Sequence, residues 1–428
     1  MPLISKMKSE FFPRAVQDGK FGKDKVRFID YKSDDSTIAA VHFCSTVYFG
    51  DLILETDRGD QSVQSIVIKA RDDKGIATAE RVAPWQRLSN EYLFYTEILP
   101  LLQKCDSSGS SISEMFPKFF FGRSASSDTD TSEEFLVFEN VQKRGFKHSP
   151  VDIFLDYDHL KLIYRKIAEF HALSFVCKKR YPKEFEEITS KIRDLFYTEE
   201  EIVEWNIILN EFSHFSVLTL QQNPEYQERL SGLSKVVENT ALSMRAIAAP
   251  VEPLSVICHG DLHRNNICFR YDLEGKSPAE LILVDLALIR CTSPTIDISC
   301  PLFGNALPET RTCKWTELLK IYHSTLTSYP DLDLQMAPSF EDLILDFKRR
   351  AFHGYAWGSL CLITLLPKAN EPEVKEDDEL TTLTTLEECQ LYLKRSGERG
   401  AFYLKENAKF MIDENFDFEF ILNLKLNS

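Results

Sequence analysis

The sequence has no Cys-x-x-Cys pair, no dense lysine/arginine tract, no internal repeat and no uninterrupted apolar stretch of membrane-spanning length. Its ten cysteines are scattered singly along 428 residues. Disulfide scaffolds are short and cysteine-dense, so these residues read as mostly buried, reduced thiols of a reducing compartment. The missing basic tract, with a formal net charge of −16, argues against a nucleic-acid partner, whose phosphates call for a basic surplus. The longest weakly polar run, Ala351 to Pro367, is broken by His353, Gly354 and Gly358, and reads as a buried helix rather than a membrane span. Met1 to Gln17 carries Lys6, Lys8, Glu10 and Arg14 among its apolar residues and has no secretory apolar core, so the expectation is a cytoplasmic protein.

What is present is ordinary in composition and uneven in layout. Apolar residues make up 43% and charged residues 27%, as in soluble globular proteins. The length exceeds what one compact core usually serves and predicts two lobes. From about Ile38 to Asn140 the pattern is strand-rich. Val41 to Glu55 and Ser62 to Ala70 read as a hairpin or meander, and Phe116 to Phe121 and Phe135 to Phe138 are short strands flanking the polar turn Ser124 to Glu134. Leu88 to Gln103 has helical spacing at Leu93, Phe94, Ile98, Leu101 and Leu102. After Asn140 the periodicity turns helical: Leu160 to Phe175, Glu199 to Phe212, Tyr226 to Ile247, Thr316 to Leu326, Phe340 to Leu366 and Leu386 to Asp413. Asn370 to Leu380 is acidic and reads as a solvated loop. The expected architecture is α+β and bilobal, with a small β-rich lobe over 1–140 and a larger, mainly helical lobe over 141–428.

One β-like island, Leu254 to Asp285, interrupts the helices and carries the chemistry. Val256-Ile257-Cys258 leads into His259-Gly260-Asp261-Leu262-His263-Arg264-Asn265-Asn266; a strand follows, then a turn around Asp272 to Pro278, then Leu281-Ile282-Leu283-Val284 and Asp285. A carboxylate, an amide five residues on and a second carboxylate nineteen residues later therefore sit at the edges of one hairpin. Phosphoryl transfer needs phosphates, metal ions and acceptor hydroxyl held in line more than it needs covalent help. Asp261 can accept or orient the acceptor proton, and Asn266 and Asp285 offer the hard oxygen ligands that Mg²⁺ prefers. Taken singly, an Asp after a Gly is a turn residue and an Asp at a strand end is a cap or a surface charge; the combination is what points to chemistry. A competing reading takes His259-x-Asp261-x-His263 as a hydrolase metal site, with alternation on an extended segment placing all three on one side. It leaves Asn266 and Asp285 without a role.

The segment His259-Gly260-Asp261-x-x-x-x-Asn266, followed by a strand ending in Asp285, resembles the Brenner motif of aminoglycoside phosphotransferases and choline kinases. Within that superfamily the chain is most similar to the ecdysteroid kinase-like (EcKinase, or CHK kinase-like) family of insects. Asn90-Glu91-Tyr92-Leu93-Phe94-Tyr95 with Ile98-Leu99-Pro100, Leu136-Val137-Phe138-Glu139-Asn140-Val141, Ile167 to Ser174, and Ser293-Pro294-Thr295-Ile296-Asp297-Ile298 all match its pattern. The resemblance implies an ATP- and Mg²⁺-dependent kinase that phosphorylates a hydroxyl of a lipophilic alcohol such as an ecdysteroid or a xenobiotic. It further implies that Lys69 contacts the nucleotide phosphates, that Glu91 is the ion-pair partner of Lys69, and that Glu139 to Val141 face the adenine edge. Ser45 and Thr46 of the turn Phe43 to Gly50 stand where phosphates would be covered. His259 is expected to tie the loop to neighbouring backbone, His171 to pack beneath it, and Asp297 to bind loop backbone.

The chain departs from the pattern in three places, one being the nucleotide-covering turn around Phe43 to Gly50, which has a single glycine and offers Ser45 and Thr46 instead. The family's Asp-Phe-Gln is Asp285-Leu286-Ala287 here, and His263 stands where relatives carry an aromatic. A catalytically weak pseudokinase serving as a small-ligand or protein binding module is the alternative, although all of Asp261, Asn266 and Asp285 are present. The expected partner is a small-molecule alcohol substrate, with no nucleic acid and no membrane span.

Overall fold

The computed structural model describes residues 2–34, 41–42, 45–71, 87–109, 111–124, 134–150, 153–199, 201–366 and 384–426. The acidic loop Asn370 to Leu380, most of the turn Ser124 to Glu134, and Phe43, Cys44 and the side chain of Ser45 lie outside the described residues.

Six strands form the first sheet: β1 (Lys25–Ser33), β2 (Val41–His42), β3 (Ser45–Thr56), β4 (Gln61–Arg71), β5 (Phe119–Arg123) and β6 (Phe135–Glu139). The order is β1-β3-β4-β6-β5, every pair is antiparallel, and β2 pairs with the start of β3. Alternation along β4 sends Ile66, Ile68 and Ala70 into a core with Leu52, Leu54, Phe135 and Val137, and so directs Lys69 to the opposite face. Two short helices before the sheet, α1 (Pro2–Lys6) and α2 (Phe12–Gln17), cover that core with Phe12, Ala15 and Val16. These helices and β1 were not legible in the sequence. β1 reads KVRFIDYKS and buries only Tyr31, and such a charged edge strand gives little apolar alternation.

Across the other face runs one continuous helical segment: α3 (Arg87–Leu93), a π-helical stretch over Phe94–Ile98, and α4 (Leu99–Cys105). Its buried Leu88, Phe94, Ile98, Leu101 and Leu102 join the large second core. That core is built from α5 (Tyr157–Arg180), α6 (Pro182–Thr189), α7 (Ile202–Gln221), α8 (Ser231–Val237), α9 (Thr240–Ala248), α10 (Thr295–Gly304), α11 (Pro308–Thr327), α12 (Phe340–Arg350), α13 (Phe352–Leu365), α14 (Thr385–Asp413) and α15 (Phe418–Leu426). Set among them are the pair β7 (Val256–Cys258) with β10 (Arg290–Thr292) and the hairpin β8 (Ile267–Tyr271) with β9 (Pro278–Leu283).

Three expected helices are broken, Leu386 to Asp413 among them: within α14, Gly397 takes φ of 58° and ψ of −150° and kinks the helix. Tyr226 to Ile247 divides into α8 and α9 because Asn239 takes a non-helical φ of −141° and ψ of 71°. Phe340 to Leu366 divides at Ala351, whose ψ of −2° redirects the chain. The redirection lays Gly354 and Gly358 against α10, where a Cβ on Gly354 would stand 2.4 Å from Ser299 Oγ and one on Gly358 2.7 Å from the Gly304 nitrogen. The glycines that made Ala351 to Pro367 a poor membrane span are thus the points of closest helix approach. Among the described residues no helix is long and apolar enough to cross a membrane.

Candidate active site

Lys69, on the face of β4 away from the small core, has its ammonium 2.7 Å from Glu91 Oε2 and 2.7 Å from Asp285 Oδ1. Burial disfavours the charge on Lys69, but the Asp285 and Glu91 carboxylates outweigh it and hold the amine well above its ordinary value. Glu91 sits on α3, and its second oxygen accepts the Leu286 N–H at 3.3 Å. Burial raises the Glu91 carboxyl against the pull of Lys69; for Asp285, which also feels burial, the Lys69 charge prevails and the carboxyl lies below its ordinary value. Next to Glu91, Asn90 donates to Ala287 O (3.1 Å) and Arg193 O (2.9 Å). So α3 grips the 286–287 backbone directly, and Leu286 between them is fully buried.

The loop after β7 is tied down at four points. Asp297 of α10 accepts the N–H groups of His259 (2.7 Å) and Gly260 (2.9 Å). Its Oδ2 also meets His171 Nε2 at 3.1 Å, and His171 Nδ1 meets the Tyr322 hydroxyl at 2.9 Å. His259 Nε2 lies 3.0 Å from Val284 O, while its Nδ1 accepts the Asp261 N–H at 3.3 Å. Gly260 has φ of +83°, the left-handed region, and a Cβ there would stand 1.8 Å from Leu288 O. His171 and Asp297 therefore act on the loop from beneath, as expected of them. Cys258 completes a buried group with these two, the three ligand-type atoms lying within 4.8 Å of one another. The His171 and Asp297 atoms are already engaged as described, and Cys258 Sγ faces Ser293 O at 3.5 Å, so the group reads as loop anchoring.

Asp261 emerges from this loop with defined partners. Its Oδ1 accepts Trp357 Nε1–H at 2.7 Å and lies 3.5 Å from His263 Nε2; its Oδ2 accepts from Asn266 Nδ2 at 3.0 Å. Burial pushes the carboxyl up, but the His263 charge and the hydrogen bonds from His263 and Trp357 take it well below the usual carboxylate range. Burial likewise resists charge on His263, and Asp261 overcomes it, leaving the imidazole above its ordinary value. Asn266 Nδ2 donates a second time, to Asp261 O at 2.9 Å, which leaves the amide oxygen as its available acceptor. The Val284 N–H donates to Asn266 O at 2.9 Å, fastening the end of the hairpin and setting Asp285 beside Asn266. Asp285 itself has φ of 65° and ψ of 70°, a costly conformation for a residue with a side chain.

The structure therefore gathers Lys69, Glu91, Asp261, Asn266 and Asp285. The expected turn Phe43 to Gly50 is strand β3 from Ser45 onward, and Thr46 pairs with Ala70 and so takes the small-core face, opposite to Lys69, which removes its side chain from the phosphate-covering role expected of it. The Glu139 carboxylate turns to the Lys118 N–H and to Arg144. The N–H groups of Glu139 and Asn140 bond to Lys118 O and Ser65 O, and Val141 opens a 3₁₀ turn, where first-turn N–H groups have no intrahelical acceptor. The hydrolase reading fails on geometry. Gly260 breaks the extended alternation, and both His259 ring nitrogens are engaged. Trp357 was not singled out from sequence: a lone Trp in an apolar helix signals packing, and only its indole N–H, which seeks a partner when buried, hints at more.

The sequence profile of the Ecdysteroid kinase-like family matches residues 40–332. The chain belongs to the ecdysteroid kinase-like family. No curated protein matches it. Among solved structures, this ecdysteroid kinase-like chain is similar to Plasmodium vivax ethanolamine kinase, with 12% identity over 86% of this chain and 82% of that one and a TM-score of 0.32. An ADP-bound aminoglycoside phosphotransferase aligns at 11% identity over 94% and 99%, TM-score 0.35. A microcompartment-associated aminopropanol kinase aligns at 10% identity over 89% and 94%, TM-score 0.37.

Proposed function

We propose that this protein transfers the γ-phosphoryl group of ATP to a hydroxyl of a small lipophilic alcohol, of the ecdysteroid or xenobiotic class. The observation that carries the reading is the meeting of Asp261, Asn266 and Asp285 with the buried Lys69–Glu91 pair at one hairpin edge. Asp261, held ionised by its donors, orients the acceptor hydroxyl and takes its proton as the O–P bond forms. Lys69 binds the nucleotide phosphates, and Glu91 keeps it extended from β4. The backbone of Glu139 to Val141 meets the adenine edge.

The residues present fit Mg²⁺. The Asn266 amide oxygen is turned away from the Asp261 contacts, and Asp285, whose side chain is 34% exposed, has one oxygen not paired to Lys69; both are hard oxygen donors. When bound there with the nucleotide, the ion supplies charge neutralisation on the phosphates. The loss of the family's Asp-Phe-Gln leaves the Asp285 position intact, because the turn is held through its backbone by Glu91 and Asn90.

The test is thermal stability of the purified protein with ATP, with Mg²⁺ and with both, since a ligand of the folded state raises the melting temperature by mass action. Stabilisation that needs both and disappears in Asp285→Ala supports the site. With an acceptor in hand, Asp261→Asn should lose turnover while keeping nucleotide binding; equal turnover would remove Asp261 from its role. No shift with any nucleotide would favour a binding module.

A further inference from the structure

Away from the active site, Cys105 and Cys177 place their sulfurs 2.7 Å apart. Cys105 ends α4, Cys177 lies in the last turn-and-a-half of α5, and the two helices pack against each other. Both are free thiols, 1% and 0% exposed. The other described cysteines show no such sulfur–sulfur contact. The hydrogen bond from Cys177, set against burial and aided by the Arg180 and Lys104 charges, draws the Cys105 thiol below its ordinary value, while the same bond and burial push the Cys177 thiol up, so Cys105 is the one of the two that ionises. Arg180 also donates to Cys105 O at 3.2 Å. A thiol prone to ionise beside a second thiol, next to cations, is the arrangement that favours reaction with an oxidant. Cys105 is also the last residue of its helix, followed by the partly exposed Asp106 to Gly109, so fraying of the final turn admits a small reagent.

We propose that Cys105 and Cys177 are an oxidisable pair that closes into an intrachain disulfide in the presence of a peroxide. The Cys105 thiolate attacks one peroxide oxygen; the O–O bond breaks, hydroxide leaves and a sulfenic acid forms. The Cys177 sulfur then attacks the Cys105 sulfur, the S–S bond forms, the S–O bond breaks, and the second oxygen leaves as water with the Cys177 proton. Two thiols and one hydrogen peroxide yield one disulfide and two waters. The bond would staple α4 to α5. The helical segment ending at Cys105 is the one that carries Glu91 against Lys69, and α5 carries His171 under the catalytic loop.

The experiment uses the full chain, reduced, desalted, exposed to hydrogen peroxide, alkylated, and digested without reductant for mass spectrometry. The expected product is the Cys105 peptide joined to the Cys177 peptide, two hydrogens lighter than their sum and separated by dithiothreitol. The oxidised protein should also melt at a higher temperature than the reduced one, because the crosslink closes a long loop. Separately alkylated Cys105 and Cys177 alongside oxidised Cys313, which is exposed, would overturn the proposal; so would Cys105 found as sulfinic acid. In Cys105→Ser the melting difference should vanish and Cys177 should be alkylated. Should that variant fold poorly, the wild-type peptide map decides alone.

Discussion

Gly260 gives the sharpest structural test, because it separates two costs that usually arrive together. Its φ of +83° is open to glycine, and a Cβ would also stand 1.8 Å from Leu288 O and 2.7 Å from Leu288 C, both backbone atoms. Gly275, in the turn between β8 and β9, shares the positive φ (+70°) but has nothing within 4 Å of its would-be Cβ. Gly275→Ala therefore carries only the left-handed strain, about 1–2 kcal/mol. Gly260→Ala adds an overpacking cost of about 1–3 kcal/mol, since a carbonyl held in the 286–288 turn cannot swing aside as a flexible side chain would. The expected total is about 2–5 kcal/mol, a large share of the roughly 5–15 kcal/mol that holds a typical protein folded. The relaxation also has a direction: it pushes the 259–261 loop off the turn that begins at Asp285. Denaturant midpoints of both variants measure the difference, and the ATP·Mg²⁺ melting shift measures the site. Gly260→Ala should lose more stability than Gly275→Ala and also the nucleotide shift, which Gly275→Ala keeps. Equal destabilisation, or an intact shift in Gly260→Ala, would refute the argument that this contact sets the spacing of Asp261 and Asp285.

Trp357→Phe keeps a ring against Phe196 and Trp205 and removes the N–H that Asp261 accepts; a hydrogen bond to a charged group contributes about 1.5–3 kcal/mol, so turnover should fall roughly ten- to a hundredfold at unchanged acceptor KM. A KM effect with kcat preserved would make Trp357 a packing residue only. Glu91→Gln should weaken ATP·Mg²⁺ stabilisation, because Lys69 is left pairing with Asp285 alone; an unchanged shift would show that Lys69 is positioned by β4 without help. His263 has a raised value in the folded protein, so its contribution to stability is fully present below about pH 6.5, the unfolded value, and is lost as the pH rises through the higher folded value. Asp261 runs the other way: its contribution is present above about pH 4 and is lost only as the pH falls through its lowered folded value. His263→Gln should flatten the stability profile just above pH 6.5, and an unaltered profile there would dissociate His263 from Asp261.

The hairpin was legible because its signals are local. Strand, turn and strand follow one another in thirty residues, and the spacing of Asp261, Asn266 and Asp285 needs no distant partner to be read. Lys69 and Glu91 were legible only through family likeness, since a lysine at a strand end and a glutamate on a helix each have a surface explanation; the 2.7 Å contact comes from packing α3 across β4. The donors that finish the site were hidden for the same reason. Trp357 reaches Asp261 from ninety-six residues away, and Asn90 reaches Ala287 across the boundary between sheet and helices. The helix breaks at Asn239 and Ala351 were hidden differently: apolar periodicity continued through both, while backbone dihedrals and glycine contacts decided where the chain turned.

Three aspartates meet under this loop, and their partners divide the work among them. Asp297, fully buried, is occupied by two backbone N–H groups and His171, so it has no freedom and fixes backbone. Asp261 has donors on both oxygens yet keeps a partly exposed carboxylate, which holds it ionised and oriented while leaving a lone pair for an incoming hydroxyl. Asp285, the most exposed of the three, pairs through Oδ1 alone to Lys69, and Lys69 retains Glu91 as a second partner should that contact open. A cation arriving with phosphates would meet Asp285 Oδ2 and the Asn266 amide oxygen, and the phosphates would meet Lys69. Ligand entry is thus met by an exchange of ion pairs at Asp285 rather than by exposure of an uncompensated charge. Removing Lys69 as Lys69→Met should consequently raise the Asp285 carboxyl and harm the ligand-free protein as well as nucleotide binding. A variant that lost only nucleotide binding would show that Asp285 does not depend on Lys69 at rest.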